Sequence, residues 1–355
     1  MKILIVKMSA IGDVIHTLPA LNAIRNHFPK AHITWLVEEA AADLVMGHKA
    51  LDRVIVSKRK TLVKKLFSPL FKDAAMEILS FVRKLRDTDY DMIIDFQGLL
   101  KSAFMVMLAR GKRKIGFDRG MDHAEGSHLF YNERISPVSM EIHALKRGLM
   151  MLESLGIPAY KVEYKLPVTE DDRNCIKALL DKNGVKPENR VICINPVATW
   201  DTKLWDNKKF ASLSDRLEEG HGVKILFTGG PGDRQIIDSI MAMTTRPCIN
   251  LAGLTTLKTL AALYERADLL VTTDTGPMHL GVAAGTRVVA IFGSTAPWRT
   301  GPHGSHHVVV RSTLSCSPCF KRMCNQKKCN QKKCMASISV DQVPSGVKKQ
   351  IGFKL

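Results

Sequence analysis

The strongest constraint on this chain is an alternation: short, almost wholly apolar runs, each followed by a longer stretch of helical texture. In the first half KILIVK (2–7), HITWLV (32–37), RVIVS (53–57), DMIIDF (91–96) and RKIGF (113–117) read as strands, with helical segments such as 17–28 and 99–109 between them. A run apolar on both faces belongs in a parallel sheet covered by helices on both sides. The alternation predicts right-handed βαβ units in an open, doubly wound sheet. Between 158 and 190 the texture breaks, as Pro158, Pro167 and Pro187 bracket the polar TEDDRN and a helix. It then restarts with VICINP (191–196), KILFTGG (224–230), DLLVTTD (268–274) and RVVAIFG (287–293), and helices near 207–219, 233–243, 257–266 and 276–284. The expected fold class is α/β: two doubly wound domains, 1–167 and 168–355, facing a central cleft at the C-terminal strand edges, where such sheets bind ligands. The final ISVDQVPSGVKKQIGF reads as a helix over 339–352, loosened by Pro344 and Gly346.

Charge narrows the partners. Lys and Arg number 52 against 34 Asp and Glu, a net +18 that favours polyanions. The stretch SKRKTLVKKLFSPLFK (57–72) concentrates Lys58, Arg59, Lys60, Lys64, Lys65 and Lys72 among Leu and Phe. It reads either as a helix lying against an anionic membrane or substrate, or as a solvated basic face. No run approaches the ~20 apolar residues that span a bilayer. The apolar N-terminus is interrupted by Lys7 and Asp13 and lacks a small-residue cleavage site, so a cytoplasmic protein is expected.

Five of the eight cysteines fall in CSPCFKRMCNQKKCNQKKC (316–334). In a reducing compartment such spacing suggests metal ligation: Cys316, Cys319 and Cys324, with a fourth thiolate from Cys329 or Cys334, would suit a structural zinc or iron. The other reading is a set of thiols in a loop.

Three loops come directly after predicted strands and could carry chemistry. In KMSAIGDVIHTLPAL (7–21), Asp13 stands at the start of a helix, either as a cap or as a carboxylate able to take a proton from an incoming hydroxyl. In NPVATWDTKLWDNKKF (195–210), Thr199, Thr202 and Lys203 could meet a diphosphate, or Lys203 could be a surface residue beside Trp200 and Trp205. In TTDTGPMHLGVAAG (272–285), a strand delivers Asp274, and Thr275 and Gly276 open a helix whose free N–H groups and dipole attract phosphate. His279 is either core-facing or a donor to phosphate or sugar. Neither GxxxxGK[ST] nor GxGxxG is present, which disfavours a P-loop and a nicotinamide dinucleotide site.

SAIGDVIHTLPAL, the Lys203 loop, TTDTGPMHLGVAAGTRVVAIFGST and CSPCFKRMC, in that order, resemble glycosyltransferase family nine, the ADP-heptose:lipopolysaccharide heptosyltransferases. FQGLLKS (96–102) and LFYN (129–132) resemble its first subfamily, which attaches heptose to Kdo. The resemblance implies the GT-B fold of two Rossmann-like domains, the N-terminal one taking the acceptor and the C-terminal one the nucleotide sugar, with the last helix crossing back to the N-terminal domain. It implies Asp13 as catalytic base and Lys203 as the lysine on the donor phosphates, beside Thr199 and Thr202. Asp274, Thr275, Gly276 and His279 match the donor loop, and Asp233 in GGPGDRQ an acidic donor contact. Lys60, Lys64, Lys65 and Glu125 are the candidate acceptor contacts, although the Arg that relatives carry before the FYN-like stretch is absent here. The NQKKC duplication (325–329, 330–334) leaves the pairing of Cys329 and Cys334 with family positions open.

The implied reaction is an inverting heptosyl transfer from ADP-heptose to Kdo or inner-core heptose. It uses no catalytic cofactor, and its partners are a Kdo-lipid A precursor and the anionic cytoplasmic face of the inner membrane, with no nucleic acid. Two other readings remain: a different nucleotide-sugar transferase or epimerase of the same fold, and a basic Cys-knuckle that binds nucleic acid. The knuckle lacks interleaved aromatics, since only Phe320 interrupts its Lys and Arg run.

Overall fold

The computed structural model describes residues 1–59, 61–62, 71–121, 125–219, 222–324 and 332–343. The chain divides into two compact units, Met1–Pro167 and Val168–Leu355.

The first unit is built on β1 (Lys2–Val6), β2 (His32–Glu38), β3 (Arg53–Ser57), β4 (Asp89–Asp95), β5 (Arg110–Phe117) and β6 (Glu133–Ile135), in the order β3-β2-β1-β4-β5-β6. Every pairing is parallel, and β1 sits centrally with Ile3 beside Met92 and Ile5 beside Ile94. Ile3 to Val6 are fully buried, as a central strand covered on both faces requires. Its helices are α1 (Ile11–His27), α2 (Phe71–Arg86), α3 (Leu100–Leu108) and α4 (Ala144–Ser154), with α4 packed on α1.

The second unit repeats the plan with β7 (Arg190–Asn195), β8 (Val223–Phe227), β9 (Ile249–Asn250), β10 (Leu269–Thr273), β11 (Val288–Phe292) and β12 (Val308–Arg311), again all parallel, in the order β12-β11-β10-β7-β8-β9. Numbered within each unit, both sheets run 3-2-1-4-5-6, the doubly wound dinucleotide-fold order. The helices are α5 (Glu170–Lys182), α6 (Asn207–Glu218), α7 (Arg234–Met241), α8 (Leu257–Arg266) and α9 (Gly276–Ala283). Their starts are chemically specified: the Thr169 hydroxyl accepts from Asp172 N–H, and the Asp206 carboxylate accepts from Lys208 N–H at 2.8 Å.

The structure departs from the sequence reading where burial overrides local signals. Helix α1 starts at Ile11 rather than at 17, because Val14, Ile15, Leu18 and Leu21 all bury. That outweighs the interior Pro19, whose missing N–H costs one helical bond. Strands β6, β9 and β12 escaped notice because stretches of three, two and four residues carry too little pattern. The basic stretch 57–72 begins inside β3 at Ser57 and ends inside α2; residues 60 and 63–70, with Lys60, Lys64 and Lys65, lie outside the described residues. The helix expected over 339–352 also falls largely outside them. No helix among the described residues is long and apolar enough to cross a membrane.

Candidate active site

In a 3-2-1-4-5-6 sheet the connections after strands 1 and 4 run to opposite faces, leaving a hollow at the C-terminal edge. In the first unit those strands are β1 and β4. Between the loops that leave them lies a cavity of ≈ 240 Å³, lined by Lys7, Asp13, Thr17, Gln97 and Arg147, with Phe96 and Phe117 among its walls. Asp13 is the third residue of α1, and its Oδ2 accepts from Ala10 N–H at 3.1 Å. It therefore caps its own helix, one of the two sequence readings, and it also lines the cavity.

Hydrogen bonds brace the loop that carries Asp13. Gln97 Oε1 accepts from Met8 N–H and Ser9 N–H, both at 3.1 Å, tying the end of β4 to the end of β1. The turn carrying Gln97 is held by buried Asp95, which accepts from Gln97 N–H (2.8 Å), Gly98 N–H (3.1 Å), the Ser102 hydroxyl (2.8 Å) and the Tyr131 hydroxyl (2.8 Å). Burial nevertheless pushes the Asp95 pKa above the ordinary carboxylate range, with those bonds pulling the other way. Lys7 Nζ donates to Phe96 O at 3.0 Å; burial lowers its pKa, opposed by the charges of Asp13 and Asp95. At the end of β2, Glu38 pairs with Lys101 (3.3 Å) and Arg59 (3.5 Å).

In the second unit the corresponding strands are β7 and β10. Lys203, after β7, meets Asp274, after β10: Nζ stands 2.6 Å from Oδ2, with the two side chains 17% and 5% exposed. The Lys203 ammonium also lies 4.5 Å over the Trp200 ring, and the Arg322 guanidinium 5.4 Å over the same ring. Thr202 is buried and donates to Lys321 O at 2.6 Å, fastening the Lys203 loop to 321–322, while Thr199 is exposed. Beyond Asp274, α9 opens at Gly276 with Thr275 as N-cap making no side-chain capping bond. Pro277 has no N–H and Met278 N–H donates to Thr275 O at 3.1 Å, so the Gly276 N–H and the helix dipole are what this end offers an anion. His279 is buried in that helix. Around the same sheet edge, the side-chain oxygens Asn195 Oδ1, Thr273 Oγ1, Ser294 Oγ and Thr295 Oγ1 are buried with no hydrogen-bond partner among the described residues. Buried polar atoms are rarely left so, and water or a ligand can supply their partners.

The sequence profile of glycosyltransferase family 9 (heptosyltransferase) matches residues 78–330. The chain belongs to glycosyltransferase family 9. It is 31% identical over 329 residues to lipopolysaccharide heptosyltransferase 1 of Pseudomonas aeruginosa, covering 91% of this chain and 87% of that one. It is 29% identical over 318 residues to lipopolysaccharide heptosyltransferase 1 of Escherichia coli K12, covering 88% and 94%. Among solved structures, E. coli heptosyltransferase WaaC with ADP superposes with a TM-score of 0.78 at 25% identity, covering 99% of this chain and all of that one. A glycosyltransferase family 9 protein from Veillonella parvula gives 0.79 at 23% identity, covering 98% and 96%. The chain is thus a glycosyltransferase with the two-sheet GT-B fold of the heptosyltransferases.

Within this heptosyltransferase, two of the expected contact residues also make local hydrogen bonds. Asp233 Oδ2 accepts from Gly230 N–H at 2.7 Å, so its carboxylate closes its own turn. Glu125, exposed and with φ 51°, accepts from Leu100 N–H at 3.2 Å and so caps α3. The cysteine expectation is corrected. Cys316, Cys319, Cys324 and Cys334 do not assemble into a ligand set, and among the described residues no group of three or more His, Cys, Asp or Glu could hold a metal ion. Packing accounts for Cys334: the helical turn Lys333–Ala336 buries Met335 and carries Cys334 onto the hydrophobic core. Cys329 lies outside the described residues.

The sequence reading overlooked Lys7, Gln97, Asp95, Arg147 and Glu38. A signal existed for three of them. Lys7 ends an otherwise apolar run, and DFQG puts the Asp95 carboxylate and the Gln97 amide at the end of another, the same strand-end logic that singled out Asp13.

Proposed function

We propose that this heptosyltransferase moves L-glycero-D-manno-heptose from ADP-heptose to Kdo, or to an inner-core heptose, of a lipopolysaccharide precursor at the cytoplasmic face of the inner membrane. The reading gives the first unit the acceptor and the second the nucleotide sugar. It is supported by the relatives named above and by a further WaaC structure, with ADP-2-deoxy-2-fluoro heptose, at 25% identity and a TM-score of 0.75. The observation that carries it is the second unit's sheet edge, where the Lys203–Asp274 ion pair lies beside the strand end from which α9 starts.

In this reading Asp13 takes the proton of the acceptor hydroxyl, whose oxygen attacks the anomeric carbon from the face opposite the ADP leaving group, inverting that centre. Lys203 and the N-terminal end of α9, through its dipole and the Gly276 N–H, stabilise charge developing on the leaving diphosphate. Lys7 and Arg147 put positive charge beside Asp13, suited to the carboxylate of a Kdo sugar. Basic residues of 57–72, Lys60, Lys64 and Lys65 among them, would meet the acceptor's phosphates. The transfer as drawn uses no cofactor.

The test is incubation with ADP-heptose and Kdo₂-lipid A, with the product weighed by mass spectrometry. Asp13→Asn should cut turnover by roughly 10²- to 10⁴-fold, the usual contribution of a positioned base, while leaving ADP affinity unchanged. Near wild-type turnover in that variant would reduce Asp13 to a helix cap.

A further inference from the structure

A helix that covers one side of a sheet normally turns a polar face to water. Helix α3, LKSAFMVML, does not. Ser102, Ala103 and Val106 are buried, while Leu100, Phe104 and Met107, spaced four and three residues apart on the opposite face, are 47%, 45% and 45% exposed. The turn Ser127–Phe130 packs beside it and adds Leu129, 70% exposed. That turn is fixed to α3: the Ser127 hydroxyl donates to Gly98 O at 3.0 Å, and Glu125 accepts from Leu100 N–H. On its other flank α3 touches α2, which buries only Ala74 and Leu85 and leaves Met76 (64%) and Leu79 (51%) exposed.

Three neighbouring elements of the first unit thus present large apolar side chains to solvent on one face of its sheet, and such a patch marks an interaction surface. Charge decides between occupants. The described residues of 57–86 carry six cations (Lys58, Arg59, Lys72, Arg83, Lys84, Arg86) against two anions (Asp73, Glu77). On α2 itself Lys72, Arg83, Lys84 and Arg86 are exposed. A second copy bearing the same excess would be repelled, whereas an anionic lipid surface would be attracted while offering acyl chains to the apolar side chains.

We propose that the face formed by α2, α3 and Leu129 seats the first unit on an anionic bilayer. Phe104, Met107 and Leu129 enter the boundary between headgroups and acyl chains, and the cations of α2 meet lipid phosphates. This deepens the function proposed above, resting on it only for the lipid-borne acceptor, and the binding test needs no turnover.

The full chain is centrifuged with vesicles of phosphatidylcholine mixed with phosphatidylglycerol, and with vesicles of phosphatidylcholine alone. Wild-type protein should sediment with the anionic vesicles, less so at high salt, and only weakly with the neutral ones. A variant with Phe104→Gln, Met107→Gln and Leu129→Gln, all surface positions, should lose about tenfold or more in vesicle partitioning while keeping ADP affinity and the circular dichroism of the wild type. Its KM should rise for vesicle-embedded Kdo₂-lipid A and stay unchanged for a deacylated, water-soluble Kdo acceptor. Equal vesicle binding by variant and wild type, or none by either, would overturn the proposal. So would a concentration-dependent self-association that replaces vesicle binding and disappears in the variant. Vesicle binding without any heptosyl transfer would leave this surface intact and sink the proposed reaction instead.

Discussion

Lys203 and Asp274 offer a test in which stability and donor binding separate. Lys203→Ala leaves the Asp274 carboxylate, 5% exposed, without its 2.6 Å cation. Removing one member of a buried pair typically costs ~3–5 kcal/mol, because the remaining charge is stranded away from water. Lys203 keeps 17% of its side-chain surface, so water can reach part of the gap, and about 2–3 kcal/mol is expected here. For a unit of this size that is a melting-point drop of roughly 5–10 °C, measured without nucleotide because bound ADP would itself add stability. Lys203→Ala should also weaken ADP by roughly ten- to hundredfold, the loss of a charge-assisted contact to phosphate, read by calorimetry. Adding Asp274→Asn removes the stranded charge, so much of the stability should return while ADP binding stays weak. If the single variant melts like the wild type, the pair contributes nothing to the fold. If its ADP affinity is unchanged, Lys203 is not at the donor phosphates.

Gly116→Ala would place a Cβ 2.2 Å from the Tyr131 ring, which cannot retreat while its hydroxyl holds buried Asp95; a loss of about 3 kcal/mol in denaturant unfolding is expected, and an unchanged midpoint would show that the ring is not pinned. Thr202→Val strips the donor from Lys321 O at a site only 2% exposed, which should cost about 1–2 kcal/mol and loosen the loop bearing Lys203, seen as weaker ADP binding; no change in either would detach that loop from 321–322. His307 Nδ1 accepts from Val288 N–H at 3.2 Å, and burial pushes the pKa of this histidine down to about 4. The unfolded chain takes up that proton near pH 6.5, so the His307 contribution is complete above about 6.5 and is lost as pH falls towards 4, by roughly 1–2 kcal/mol after allowing for its partial exposure. His307→Asn should flatten the stability profile between those limits, and an unaltered profile would contradict the assignment.

The strands at the centre of each sheet were legible because burial on both faces leaves an unbroken apolar run such as KILIV or LLVTT, a signal local in sequence. The same runs marked the loops of Asp13, Lys203 and Asp274, since each of these loops begins where such a run ends. The cap at Asp13 was legible for a similar reason, since it acts within three residues of itself, whereas the caps Thr169 and Asp206 were not singled out. The edge strands β6, β9 and β12 were not legible, because a strand of two to four residues is defined by its neighbour's backbone and not by its own pattern.

What the sequence could not state was which loops meet. Lys203 touches Asp274 only because β7 and β10 are adjacent and parallel, and Gln97 reaches Met8 and Ser9 only because β4 lies beside β1. The same holds for the cysteines, whose spacing suggested a metal knuckle until the burial of Met335 turned Cys334 onto the core. Composition and period choose the elements through each residue's own preference for water or for the interior. Contacts between side chains distant in the chain are chosen by strand order, which is decided when the whole sheet finds the arrangement that buries both its faces at once.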